Sequence, residues 1–107
     1  MLYKFKSKVT GDLIMLEQDG RRMLEIIGKE PGATGIVLPE QMLGALKSLD
    51  SAIAKEEADK KAALAQAKAR GEALPKFAEI SLRQHTLPFM DMLRRCEKAG
   101  EEIVWGV

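Results

Sequence analysis

A single cysteine, Cys96, and a single histidine, His85, leave the chain unable to form an internal disulfide. They also fall short of the four Cys and His ligands that a zinc site usually takes. Aromatics are few, with three phenylalanines, one tyrosine and one tryptophan. Tyr3 and Phe5 alternate with Lys4 and Lys6 and so face away from them, which denies those lysines a base-stacking platform. The net charge is only +1, from 17 Lys and Arg against 16 Asp and Glu, so no global field draws the chain to nucleic acid or an anionic membrane. Unbroken apolar runs are as short as Leu13 to Leu16, far below the roughly 20 residues that cross a bilayer. Residues 1 to 8 alternate apolar with charged, without the continuous apolar stretch of a signal peptide. A reducing cytoplasm is the expected compartment, with no membrane partner.

What is present suffices for one domain. In 107 residues, 46% are hydrophobic, enough to bury one core without disulfide or metal. Leu2 to Ser7 has the two-residue period of a half-buried strand. Thr10-Gly11-Asp12 is a turn signal, and two readings of residues 13 to 28 stay open. In one, Leu13 to Leu16 closes a hairpin, and Asp19-Gly20 caps a helix ending near Gly28. In the other, Asp12 caps a single helix whose stripe runs through residues 13, 16, 20, 23, 24 and 27. Gly28 to Gly35 reads as a loop, Ile36 to Leu38 as a short buried strand, and Pro39 as the first position of a helix.

Met42, Leu46, Leu49 and Ile53 recur at helical spacing and predict one stripe laid on the core. Beyond them the composition shifts to alanine and mixed charge, with Leu64 the only large apolar side chain between Ala54 and Arg70. An unbroken helix from 40 to 70 would measure about 46 Å at ~1.5 Å per residue. A domain of this size has a radius of gyration near 13 Å. Residues 55 to 78 are therefore expected to form a charged, Ala-rich helical arm or linker. Ser81 and Gln84 have capping-box spacing, and Leu82, Phe89, Leu93 and Cys96 continue a helical stripe. Pro88 predicts a kink there, or a helix that starts near Leu87. Ile103 to Val107 reads as a terminal strand. Together these elements predict a single α+β domain over 1 to 107, with a small sheet of three or four strands and helices packed on one face.

Phe5-Lys6-Ser7, Leu24 with Gly28, Ser81-Leu82-Arg83-Gln84, Pro88, Met92-Leu93 and Val104-Trp105 together resemble the domain of unknown function 1840 family. The similarity covers roughly residues 1 to 53 and 80 to 107. These are small proteobacterial proteins with similar ends and a charged middle of variable length. The resemblance implies domain limits and a bacterial cytoplasmic setting, and brings no catalytic residues with it.

Candidate chemistry is sparse. Gly28, Gly32 and Gly35 cluster beside Lys29, but Met23 and Glu30 stand where a phosphate loop needs glycine and a hydroxyl. His85 and Cys96 share a helix face but lie about 16 Å apart along it, too far for a nucleophile and its base. The carboxylates Glu56, Glu57 and Asp59 sit among Lys55, Lys60 and Lys61, as on a solvated helix. No catalytic residue, metal or cofactor is therefore assigned. Arg83, Arg94 and Trp105 are the candidate binding surface, Trp105 because tryptophan is costly to expose and rich at interfaces. The leading expectation is a noncatalytic interaction or regulatory module that self-associates. A small-molecule binding domain or minor enzyme, with a pocket between sheet and helices flanked by Arg83 and Trp105, is the alternative. Weak nucleic-acid binding comes third.

Overall fold

A computed structural model describes residues 2–76 and 81–106 of the chain. Strand β1 (Leu2–Lys6) buries Tyr3 and Phe5 and turns its lysines outward. It pairs antiparallel with β2 (Leu13–Leu16), so the hairpin reading holds and the single-helix reading from Asp12 is overturned. Helix α1 (Glu17–Ile26) begins directly at the end of β2, without a linker. It starts two residues before the Asp19-Gly20 signal, and Leu16 at its N-cap supplies no side-chain acceptor. Gly20 lies inside the helix for a tertiary reason: a Cβ there would run into the Tyr3 side chain, within 2.8 Å of its Cβ and two ring carbons. Glycine costs helix propensity here, and the close seat it offers Tyr3 offsets that cost.

Strand β3 (Gly35–Val37) leads into α2 (Pro39–Arg70). Pro39 takes the first helical position, where its missing N–H is not needed. The side-chain oxygen of Gln41 accepts from the Leu38 N–H at 3.0 Å and from Lys29 Nζ at 2.8 Å. The helix has 32 residues, about 48 Å at ~1.5 Å each, and the molecule measures 52 Å along its longest axis. Helix α3 (Leu82–Ala99) opens with the expected capping box: Ser81 Oγ accepts from the Gln84 N–H at 3.2 Å, and Gln84 Oε1 accepts from the Ser81 N–H at 3.0 Å. The helix passes through Pro88 and does not begin at Leu87. Thr86, two residues earlier, is the buried polar side chain of the core among the described residues, and its hydroxyl donates to Leu82 O at 2.8 Å. The last strand, β4 (Ile103–Trp105), is shorter than the Ile103–Val107 expectation, whose final residue lies outside the described ones.

The strands form one antiparallel sheet in the order β2-β1-β4-β3. Inward side chains Tyr3, Phe5, Val37, Ile103 and Trp105 meet Met23, Leu24, Met42, Leu49, Phe89 and Leu93 from the helices. Phe5 is the hub, with ring centroids 4.9 Å from Phe89, 5.9 Å from Trp105 and 6.0 Å from Tyr3. The helices thus cover one face, and the architecture is the α+β two-layer type. The core stripe on α2 runs through Met42, Ala45, Leu49 and Ile53, with Leu46 only partly buried at its side. Residues 77 and 78 of the expected charged arm lie outside the described residues.

Candidate functional site

The three residues singled out as a binding surface occupy three different environments. Trp105 is a core residue, 2% exposed, at the centre of the sheet between β1 and β3. Its ring lies over Gly35, its cross-strand partner, where a Cβ would penetrate the indole. The indole Nε1 donates to Gly32 O at 3.1 Å, so its polar edge is already satisfied by the loop before β3. Arg83 is exposed near the start of α3 and forms a two-pronged hydrogen bond with Glu57 of α2, both contacts 2.9 Å. Arg94 is exposed about 16 Å farther along the same helix. The fold does not bring them together. The pocket expected between sheet and helices is occupied by Phe5, Phe89, Leu93 and Trp105.

The other candidates are equally dispersed. Cys96 is fully buried, and its thiol donates to Ser7 Oγ at 3.1 Å across to the end of β1. His85 faces Asp19 of α1, with Nδ1 and Oδ2 3.6 Å apart. In the Gly28–Gly35 loop the carbonyls of Pro31 and Gly32 accept from Tyr3 Oη at 3.0 Å and from the Trp105 indole, and the amides of Gly28, Lys29 and Gly32 donate to Glu25 O, Leu24 O and Glu30 O. A phosphate cradle would need those amides aimed at the ligand. Among the described residues no group of three His, Cys, Asp or Glu side chains gathers as metal ligands, and no helix is long and apolar enough to cross a membrane.

A charged groove of about 560 Å³ between α1, α2 and the start of α3 was not anticipated. Glu56 lines it, its side chain 21% exposed. Its Oε1 accepts from Lys60 Nζ at 2.6 Å and from the Leu82 N–H at 3.4 Å, and Oε2 stands 3.7 Å from Arg22. The Lys60 hydrogen bond, working against burial and helped by the Leu82 amide, holds the Glu56 carboxyl below its ordinary value. Glu57 is lowered in the same direction, first by the hydrogen bond from Arg83. A carboxylate beside the first amide of α3 also suits the positive end of that helix. The sequence signal here was local, Glu56 and Lys60 at four-residue spacing. It could not show that Arg22 and Leu82 close the group from other helices.

The second unanticipated feature is the surface around β2. Leu2, Ile14 and Leu16 are 59%, 55% and 56% exposed on the helix-free face, and register places Leu2 opposite Leu16. Ile36 and Leu38 extend apolar surface at the other end of that face. Along β2, between the strand and α3, lie two hollows of about 440 and 240 Å³ that share Leu13 and Pro88. Thr10 lines the second, and its Oγ1 is buried without a hydrogen-bond partner among the described residues. Alternation in β1 revealed the inner face. In Leu13-Ile14-Met15-Leu16 all four side chains are apolar, so no alternation marks which pair faces solvent.

Comparison with known proteins agrees with the resemblance drawn from the residues. The family described as Domain of unknown function (DUF1840) matches residues 1–105, including the charged middle. No curated protein and no solved structure matches the chain. With all but the last two of its 107 residues matched, the chain belongs to the DUF1840 family.

Proposed function

We propose that the chain is a noncatalytic interaction module that associates with a second copy of itself in a bacterial cytoplasm. The observation that carries this reading is the clustering of Leu2, Ile14 and Leu16, each more than half exposed, around one end of the open sheet face. A solvated sheet face is ordinarily polar, and contiguous exposed aliphatic surface marks association sites. Among the described residues, charged groups pair with one another within the chain. Arg83 is taken by Glu57, Glu56 by Lys60 and Leu82, and Lys4 stands 3.6 Å from Asp12. Analytical ultracentrifugation over a wide concentration range is the test. A reversible dimer is expected, and a Leu16→Ser variant shifts it toward monomer. A chain that stays monomeric throughout overturns the proposal.

A second reading, a small-molecule binding domain, is favoured by one atom: Glu56 Oε2, buried at the charged groove with no hydrogen-bond partner among the described residues. A ligand held there would offer a hydrogen-bond donor to that oxygen. Its binding, followed by thermal shift, would be lost in Glu56→Gln.

A further inference from the structure

β2 stands at the outer edge of the sheet, with β1 on one side and, among the described residues, no strand on the other. Unpaired strand edges pair with other chains, and proteins guard them with lysine, proline, bulges or a covering element. The opposite edge, β3, is three residues long, begins with Gly35 and is followed closely by Pro39. Within β2 there is no such guard, and the flanking charges, Asp12 and Glu17, stand only at its two ends. Its four residues carry no charge, no proline and no glycine. The two hollows between it and α3 run the length of the strand.

The charges along those hollows say what fits. At the Leu16 end stand Asp19 and His85, 3.6 Å apart, and at the Leu13 end the exposed Asp91 and Arg95, 3.9 Å apart, so a second copy would exchange these loose contacts within the chain for contacts between copies. Each end therefore offers one acid and one base. Consider a second copy related by a two-fold axis perpendicular to the sheet, its β2 antiparallel to this one. The Leu16 end of each copy then meets the Leu13 end of the other. Asp19 comes opposite the second copy's Arg95, and His85 opposite its Asp91. Such a two-fold keeps both sets of helices on the same side, and side-chain parity then places Ile14 beside Ile14 or Leu16. The two Leu2, Ile14 and Leu16 clusters merge into one apolar surface. The unpartnered Thr10 hydroxyl lies at the same seam, at its Leu13 end.

We infer that a second copy of this chain pairs edge to edge with β2, antiparallel about a two-fold axis, to form one continuous sheet flanked by Asp19–Arg95 and His85–Asp91 contacts between copies. The inference rests on the self-association reading and adds the strand, the symmetry and the charge partners.

The test uses the full chain. Ile14→Glu places a carboxylate opposite Lys4 within its own chain, which favours folding, and sets two carboxylates near each other at the two-fold. Sedimentation should show the dimer dissociation constant raised at least about tenfold, an effect of ~1.4 kcal/mol. Arg95→Asp should also weaken the dimer. Combining it with Asp19→Arg in the same chain should restore it, because the two symmetry-related Asp19–Arg95 contacts both reverse in sign. Amide exchange supplies a readout independent of mass: the β2 amides that point away from β1 should be protected in the wild-type dimer and exposed in Ile14→Glu. If circular dichroism shows that Ile14→Glu fails to fold, the Arg95→Asp pair of variants decides alone. A wild-type dimer indifferent to these substitutions overturns the edge pairing while leaving self-association standing, with the α2 arm as the next surface. A wild-type monomer overturns both.

Discussion

Between Pro39 and Ile53, α2 buries Met42, Ala45, Leu49 and Ile53 at successive three- and four-residue steps. Between Ala54 and Arg70 the same helix buries Ala67 alone. The first half is fixed by apolar area laid against the sheet and α3. The second is joined to the domain at its root by charge: Glu56 to Lys60, Arg22 and the Leu82 amide, and Glu57 to Arg83. Past that root the residues are strong helix formers, alanine and lysine with glutamine and arginine, which continue a helix already nucleated. Helical continuity thus hides a change of cause, from burial to ion pairing to intrinsic propensity.

That contrast breaks first at its strongest point. Leu49 is fully buried, so Leu49→Ala should cost about 2–5 kcal/mol in chemical denaturation, from lost transfer energy and the cavity left behind. A cost under ~1 kcal/mol would mean that the first half is not fixed by burial.

At the root, Glu56→Gln should cost on the order of 1 kcal/mol, because it removes a partly buried charge with three partners and leaves them in place. The pH dependence has a definite sign. A carboxyl whose folded-state value is lowered contributes stability that is fully present above its unfolded value, near 4.5. That contribution is lost as pH falls through the lower folded value. The difference in stability between wild type and Glu56→Gln should therefore be constant at neutral pH and shrink on acidification below about 4.5. A difference that does not change with pH would remove charge as the cause.

The smallest effect is expected farthest out. Leu64 is 38% exposed on the second half of α2, and Leu64→Ala should change stability by no more than ~0.5 kcal/mol in the same denaturation experiment. A larger loss would show that the arm is held by apolar contact after all.

The elements legible from pattern alone are those whose cause is local. The alternation of β1, Pro39 opening α2, and the Ser81–Gln84 capping box each involve residues within a few positions of one another. The stripe on α2 differs from its periodic reading by one position, Ala45 in place of Leu46, because alanine buried by close packing carries no hydrophobic signal of its own. The start of α1 is hidden because its N-cap is Leu16, a strand residue without a capping oxygen. Gly20, read in the hairpin alternative as part of a helix cap, lies inside α1 as the seat of Tyr3.

For function the division is sharper. The amino-acid order by itself determined the α+β class, the lack of a second thiol or a second histidine, and the family, since these depend on composition and short-range spacing. Only the tertiary structure decided that Trp105 belongs to the core, that Glu57 reaches Arg83 across 26 residues of chain, and that β2 is an apolar edge beside α3. Periodicity tells a side chain which way to face along its own element. Which partner it meets there is set by the packing of elements distant in sequence, and that has no local signature.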